Sequence, residues 1–110
     1  MEFNFEHCQD TLIMVISGRL DAIHHNLLSE KVTERIPESS WNTLLFDLSN
    51  LDYVSSAGFR EFFLIGHKIH QQGKKMAVCC LKPGVQRIFE IAMFNDAYPV
   101  FDSRNAALGS

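Results

Sequence analysis

The chain has no cluster of lysine and arginine: ten basic residues are scattered among thirteen acidic ones, for a net charge of −3. A nucleic-acid-binding face requires grouped positive charge, so that class of function is excluded. Cysteine is scarce as well. Cys8 stands alone, and the neighbours Cys79 and Cys80 lie within an apolar run with no framework spacing. This excludes a disulfide scaffold and points to a reducing compartment. Adjacent strand residues face opposite ways, so Cys79 and Cys80 are expected apart, each as core packing. No stretch approaches membrane-spanning length, and Met1-Glu2-Phe3-Asn4-Phe5-Glu6 is acidic where a secretory signal is basic. The expected location is the cytoplasm, without membrane insertion. Repeats, low-complexity segments and interdomain linkers are lacking. Neither G-x-x-x-x-G-K nor G-x-G-x-x-G occurs, which removes both nucleotide-binding loops.

What is present suits one globular domain, expected over residues 1–108, with Gly109-Ser110 as a frayed end. A chain of 110 residues that is 46% hydrophobic and 21% charged has ordinary globular composition. At this size roughly two-thirds of the unfolded surface can be buried without help from disulfide or metal.

Hydrophobic periodicity gives the order of elements. Glu2 to Cys8 alternates like a half-exposed edge strand, and Gln9-Asp10 turns the chain. Thr11 to Ser17, Thr43 to Leu48 and Lys75 to Leu81 read as buried strands, and Tyr98 to Phe101 as a short last one. Asp21 is placed to cap a helix with Ile23, Leu27, Leu28, Val32 and Ile36 on one side, ended by Pro37. A second helix follows Ser56, with Phe59, Phe62, Phe63, Gly66 and Ile69 inward and a stop at Gly73. Pro83 opens a third, with Val85, Ile88, Phe89 and Ala92 inward. Ser103 begins a terminal helix. Leu64, Ile65 and Ile91 fall off these faces and are left to a wide core or a partner surface. The sum is an α/β fold of four to five strands, mostly parallel with one antiparallel edge strand, and about four helices.

Chemistry concentrates at Asp47 to Arg60. An apolar strand ends there, a short polar step follows, and Ser55 and Ser56 stand where a helix N-cap belongs. Such a position suits an anion, and a serine there can carry one as phosphate. Asp21 follows one parallel strand and Ser56 the next, so both are expected at the same carboxyl edge of the sheet, where open α/β sheets meet ligands and partners. Plain capping by Asp21, Ser55 or Ser56 competes with a regulated site, and the two roles are compatible. If Ser56 is the cap, its removal costs about 1 kcal/mol.

The catalytic readings are thin. Val54-Ser55-Ser56-Ala57-Gly58 lacks the first glycine of a nucleophile elbow, and no later histidine has an evident supporting acid. His67 and His70 are three apart on a helix without a third ligand in reach, and His24 and His25 point in different directions. No metal site, cofactor or enzymatic activity is expected.

Ser17-Gly18-Arg19-Leu20-Asp21, Leu45-Phe46-Asp47-Leu48-Ser49 and Leu51-Asp52-Tyr53-Val54-Ser55-Ser56-Ala57-Gly58-Phe59-Arg60 together closely resemble the STAS domain. Lys82-Pro83-Gly84-Val85 and Val100-Phe101-Asp102-Ser103 resemble its later landmarks, so the likeness spans nearly the whole chain. At this length it is most similar to bacterial anti-sigma factor antagonists. That resemblance implies a partner-switching cycle. The antagonist binds an anti-sigma factor serine kinase, is phosphorylated by it and released, and is reset by a serine phosphatase, which controls sigma-factor-dependent transcription. By position the acceptor is Ser56, with Ser55 the lesser candidate, and the partner surface comprises Asp21, Ser55, Ser56, Ala57, Gly58 and Arg60. Many phosphorylated members carry aspartate where this chain has Ser55, and leucine is usual where it has Phe59. The alternative implied by the family is a non-phosphorylated interaction subunit, as in a lipid-transport ABC complex or a stress-sensing assembly.

Overall fold

The computed structural model describes residues 1–109. Five strands lie side by side in chain order: β1 (Glu2–Cys8), β2 (Thr11–Leu20), β3 (Thr43–Val54), β4 (Lys75–Cys79) and β5 (Val100–Phe101). β1 is antiparallel to β2, and every other pair is parallel. The helices are α1 (His25–Arg35), α2 (Ser56–Gln71), α3 (Pro83–Ile91) and α4 (Arg104–Leu108), with a 3-10 turn at Phe94–Asp96. The α/β class, the single antiparallel edge and the four helices are as expected from the sequence.

Alternation along the strands divides the interior into two layers. Leu12, Met14 and Ile16, Leu44, Phe46 and Leu48, and Met76 and Val78 share one face and pack against α1, α2 and α3. Ile13, Val15, Leu45, Ala77 and Cys79 form a smaller layer on the other face, against Phe101 and Ala107. Both faces are covered, which is why these strands read as unbroken apolar runs. Aromatic rings bind the larger layer together. Phe59 lies 4.8 Å from Phe89, and Phe89 lies 4.8 Å from Phe94, both edge-on. Such pairs add about 0.5–1.5 kcal/mol beyond the area they bury.

β2 and β3 outrun their expected ends. They remain paired up to Leu20 opposite Val54, with register shifts between Val15 and Ser17 and between Gly18 and Arg19. Gly18 takes φ 107° at the second irregularity, a conformation that glycine adopts without strain. The stretch read as a polar step is therefore strand. Ser49, Asn50, Asp52 and Tyr53 face solvent while Leu51 and Val54 are buried.

Other boundaries move for local reasons. The Asp21 carboxylate accepts the N–H groups of Ile23 and His24, each at 3.0 Å, and holds residues 22–24 in a turn. α1 consequently starts at His25 with His24 as its N-cap, so Asp21 caps the turn and not the helix itself. Ile23, expected inward, is 82% exposed, and Ala92 is exposed beyond the end of α3. Of the three off-face residues, Ile65 joins the core while Leu64 and Ile91 remain exposed. The last strand keeps only two residues, because Tyr98 turns into the aromatic layer. β4 stops at Cys79 because Cys80 adopts φ 65°. That turn cancels the expected alternation: the sulfurs of Cys79 and Cys80 meet at 3.4 Å.

Candidate functional site

The passage from β3 into α2 has no loop. The N–H of Ser55 donates to the Leu20 carbonyl at 2.9 Å, so the β2–β3 ladder runs directly into the helix start. Ser55 has extended backbone, and its Oγ accepts the Gly58 N–H at 3.1 Å, while its carbonyl accepts the Phe59 N–H at 2.8 Å. Ser55 is therefore the N-cap. Gly58 is buried against β2. A Cβ at this position would stand 2.7 Å from the Leu20 carbonyl oxygen and 2.8 Å from its Cγ, so only glycine lets α2 approach this closely.

Ser56 is the first helical residue and is exposed. Among the described residues its hydroxyl has no hydrogen-bond partner, and the N–H groups of the first turn have no intrahelical acceptor. The two serines, open alternatives in the sequence, have different tasks. Ser55→Ala is expected to cost about 1 kcal/mol, and Ser56→Ala to change stability by less than about 0.5 kcal/mol. Urea unfolding of both variants measures the difference. The capping cost expected for Ser56 belongs to Ser55.

Asp21 directly follows Leu20 and so stands beside Ser55 at the carboxyl edge. The backbone N–H of His24 leads the bonds that hold its carboxyl below the usual value against desolvation, with the His24 ring at 2.8 Å and the Ile23 N–H adding to it. Asp21 is thus ionised at neutral pH. Arg60 is exposed one helical turn beyond Ser56 and shares with it a shallow hollow lined also by Val54, Phe59, Phe63 and Ile88. Nearby, the Arg19 guanidinium lies 4.2 Å from the centre of the Tyr53 ring, and Lys82 pairs with Asp52. Asp21, Ser55, Ser56, Ala57 and Arg60 thus gather at one edge. Gly58 belongs with them by position but, being buried, acts by seating the helix.

One charged residue here escaped the sequence reading. Glu61 of α2 is buried, 3.7 Å from Nδ1 of His25 at the start of α1. The signal was there: Glu61 falls on the helical spacing of Gly58, Ile65 and Ile69, where an apolar residue is the rule. His24 does have a supporting acid in Asp21, yet among the described residues neither serine hydroxyl is hydrogen-bonded to a histidine. A Ser-His-Asp relay is not assembled. His70 packs edge-on against Tyr98, and no third ligand gathers around it and His67 among the described residues.

The profile of the STAS domain covers residues 2–107, nearly the whole chain. The chain belongs to the STAS domain family. A STAS relative from Bordetella bronchiseptica, BtrV, named provisionally as an anti-sigma factor antagonist, is 31% identical over 97% of this chain and 91% of its own. The anti-sigma F factor antagonist of Paenibacillus polymyxa is 27% identical over 98% of this chain and 92% of its own. In fold, the STAS protein SpoIIAA of Bacillus superposes with a TM-score of 0.80 in its unphosphorylated form (15% identity, 97% of this chain, 93% of that one). Its phosphorylated form gives 0.74 (14% identity, 98% and 97%). Among the described residues, no helix of this STAS domain is long and apolar enough to cross a membrane.

Proposed function

We propose that this STAS domain is a cytoplasmic anti-sigma factor antagonist, switched by phosphorylation of Ser56. The observation that carries the reading is the division of labour between the paired serines. Ser55 is committed to the cap, whereas the Ser56 hydroxyl is exposed and unbonded at the first residue of α2. The names of its relatives support the antagonist role, and the existence of SpoIIAA in a phosphorylated form supports the mode of control. An anti-sigma factor serine kinase would dock on the edge formed by Asp21, Ser55, Ser56, Ala57 and Arg60. Phosphate transfer to Ser56 would release it, and a serine phosphatase would restore the hydroxyl. The domain itself performs no catalysis in this scheme.

Physical chemistry favours that scheme. A phosphate brings nearly two negative charges and three acceptor oxygens. At the N-terminus of α2 the helix dipole and the first-turn N–H groups accept such charge, worth about 0.3–1 kcal/mol at an exposed site. Ser55 also fills the cap as well as the aspartate common in phosphorylated relatives, since the two residues cap equally well. It does so without placing a further carboxylate beside the phosphate. Incubation with the cognate kinase and ATP, followed by peptide mass spectrometry, is expected to place a single phosphate on Ser56. Phosphate on Ser55 would overturn the assignment. An unmodified chain that instead binds a transporter ATPase would favour the alternative of a non-phosphorylated STAS subunit.

A further inference from the structure

We infer that Asp47, Cys79 and Cys80 form a binding site for a thiophilic divalent cation of the zinc class, on the sheet face opposite α1, α2 and α3. Three features converge there. Cys80 holds φ 65°, a left-handed conformation that residues with a Cβ rarely adopt, and by doing so it turns its sulfur to within 3.4 Å of the Cys79 sulfur. Asp47 sits opposite Cys79 in the β3–β4 register, and one donor atom from each of the three residues lies within 4.8 Å of the others. Around a tetrahedral zinc with Zn–S near 2.3 Å, two sulfurs stand roughly 3.7 Å apart. The thiol pair is thus a few tenths of an ångström from chelating spacing.

The surroundings suit a cation. Asp47 is oriented by the Arg104 Nε at 2.6 Å and the Ser49 N–H at 3.0 Å, the kind of outer contact that fixes metal-bound carboxylates. Two thiolates and the Asp47 and Glu6 carboxylates against the one Arg104 guanidinium leave a charge of −3, which a divalent ion lowers to −1. Binding forms two metal–sulfur bonds and releases two protons, one from each thiol, with no change of oxidation state. Two sulfurs with one carboxylate prefer zinc to magnesium or calcium. Cys80 is half-buried, so the thiol pair is not sealed from solvent.

The test is zinc binding by the full-length reduced chain. After dialysis against Zn²⁺, elemental analysis is expected to give one zinc per chain, with two protons released in unbuffered titration. Cd²⁺ in its place should produce a thiolate charge-transfer band in the ultraviolet. Cys80→Ser and Cys79→Ala should each weaken zinc binding at least about 100-fold, beyond the loss usual for an outer-sphere contact, while circular dichroism reports their folding. Cys8→Ser should bind as wild type. Retention of no zinc by the wild-type chain would overturn the site. So would unchanged binding by a folded Cys80→Ser or Cys79→Ala chain, or loss of binding in Cys8→Ser.

Discussion

Ser56→Asp is expected to weaken binding to the proposed kinase partner by about 100-fold or more while leaving the fold intact. The two halves of that result have different causes. A carboxylate at the first residue of α2 meets unpaired N–H groups and the positive end of the helix dipole, so it is neutral or mildly stabilising. The melting temperature should move by no more than about 3 °C. At the proposed docking edge the same charge would meet partner groups arranged for a hydroxyl, next to the ionised Asp21, and repulsion there would cost several kcal/mol. A factor of 100 corresponds to about 2.7 kcal/mol. Calorimetric titration against the kinase, paired with thermal unfolding, separates binding from stability. Ser56→Ala should keep full affinity. If Ser56→Asp bound as tightly as wild type, phosphorylation of Ser56 could not be the release signal.

Arg104→Ala should cost about 3 kcal/mol and change the response of the protein to acid. Arg104 reaches from α4 to β3 and β1 together. Its Nε donates to Asp47 at 2.6 Å and its two terminal nitrogens to Glu6, each at 2.9 Å. Asp47 is buried, so removing the guanidinium strands a carboxylate in the interior with only the backbone and side chain of Ser49 against it. Breaking a buried pair costs about 3–5 kcal/mol, and the partial exposure of Arg104 puts this one at the low end. Both carboxyls lie below their usual values in the folded chain. Glu6 is held there by its hydrogen bonds to Arg104. At Asp47 burial opposes ionisation, but the Ser49 N–H and Arg104 outweigh it. Groups depressed in this way stabilise the fold above their unfolded values, near pH 4, and the stabilisation is lost as pH falls through the folded ones. Urea midpoints should therefore drop for the wild type from about pH 5 downward. In Arg104→Ala they should start lower and decline less steeply. An equal acid slope in both proteins would show that this clamp is not the source of the sensitivity.

The sequence announced what depends on near neighbours. The apolar runs of β2, β3 and β4, the glycine stop after α2, Pro83 at the start of α3 and the serine cap were all legible, because short-range sterics and periodicity govern them. What stayed hidden depends on distant groups or on which side faces water. Ser49, Asn50 and Asp52 look like a loop because their polarity reflects an exposed ribbon, and nothing local shows that Gly18-Arg19-Leu20 pairs beside them. Arg104 and Glu6 are 98 residues apart, so their contact leaves no trace in spacing. The left-handed turn at Cys80 could not be read either, since cysteine carries no preference for it. Even at the candidate site, sequence reached the pair Ser55-Ser56 but not the split between them. That required seeing which hydroxyl the Gly58 N–H takes.

The unbroken ladder from Leu20 through Ser55 into α2 bears on timing. A site carried on a hinged loop adds its own opening rate to every cycle. Here the backbone on either side of Ser56 is already hydrogen-bonded into strand and helix, so nothing has to fold before a partner binds or after it leaves. The domain would then act as a passive token, and the tempo of the circuit would be set by how fast kinase and phosphatase turn over and how quickly complexes dissociate.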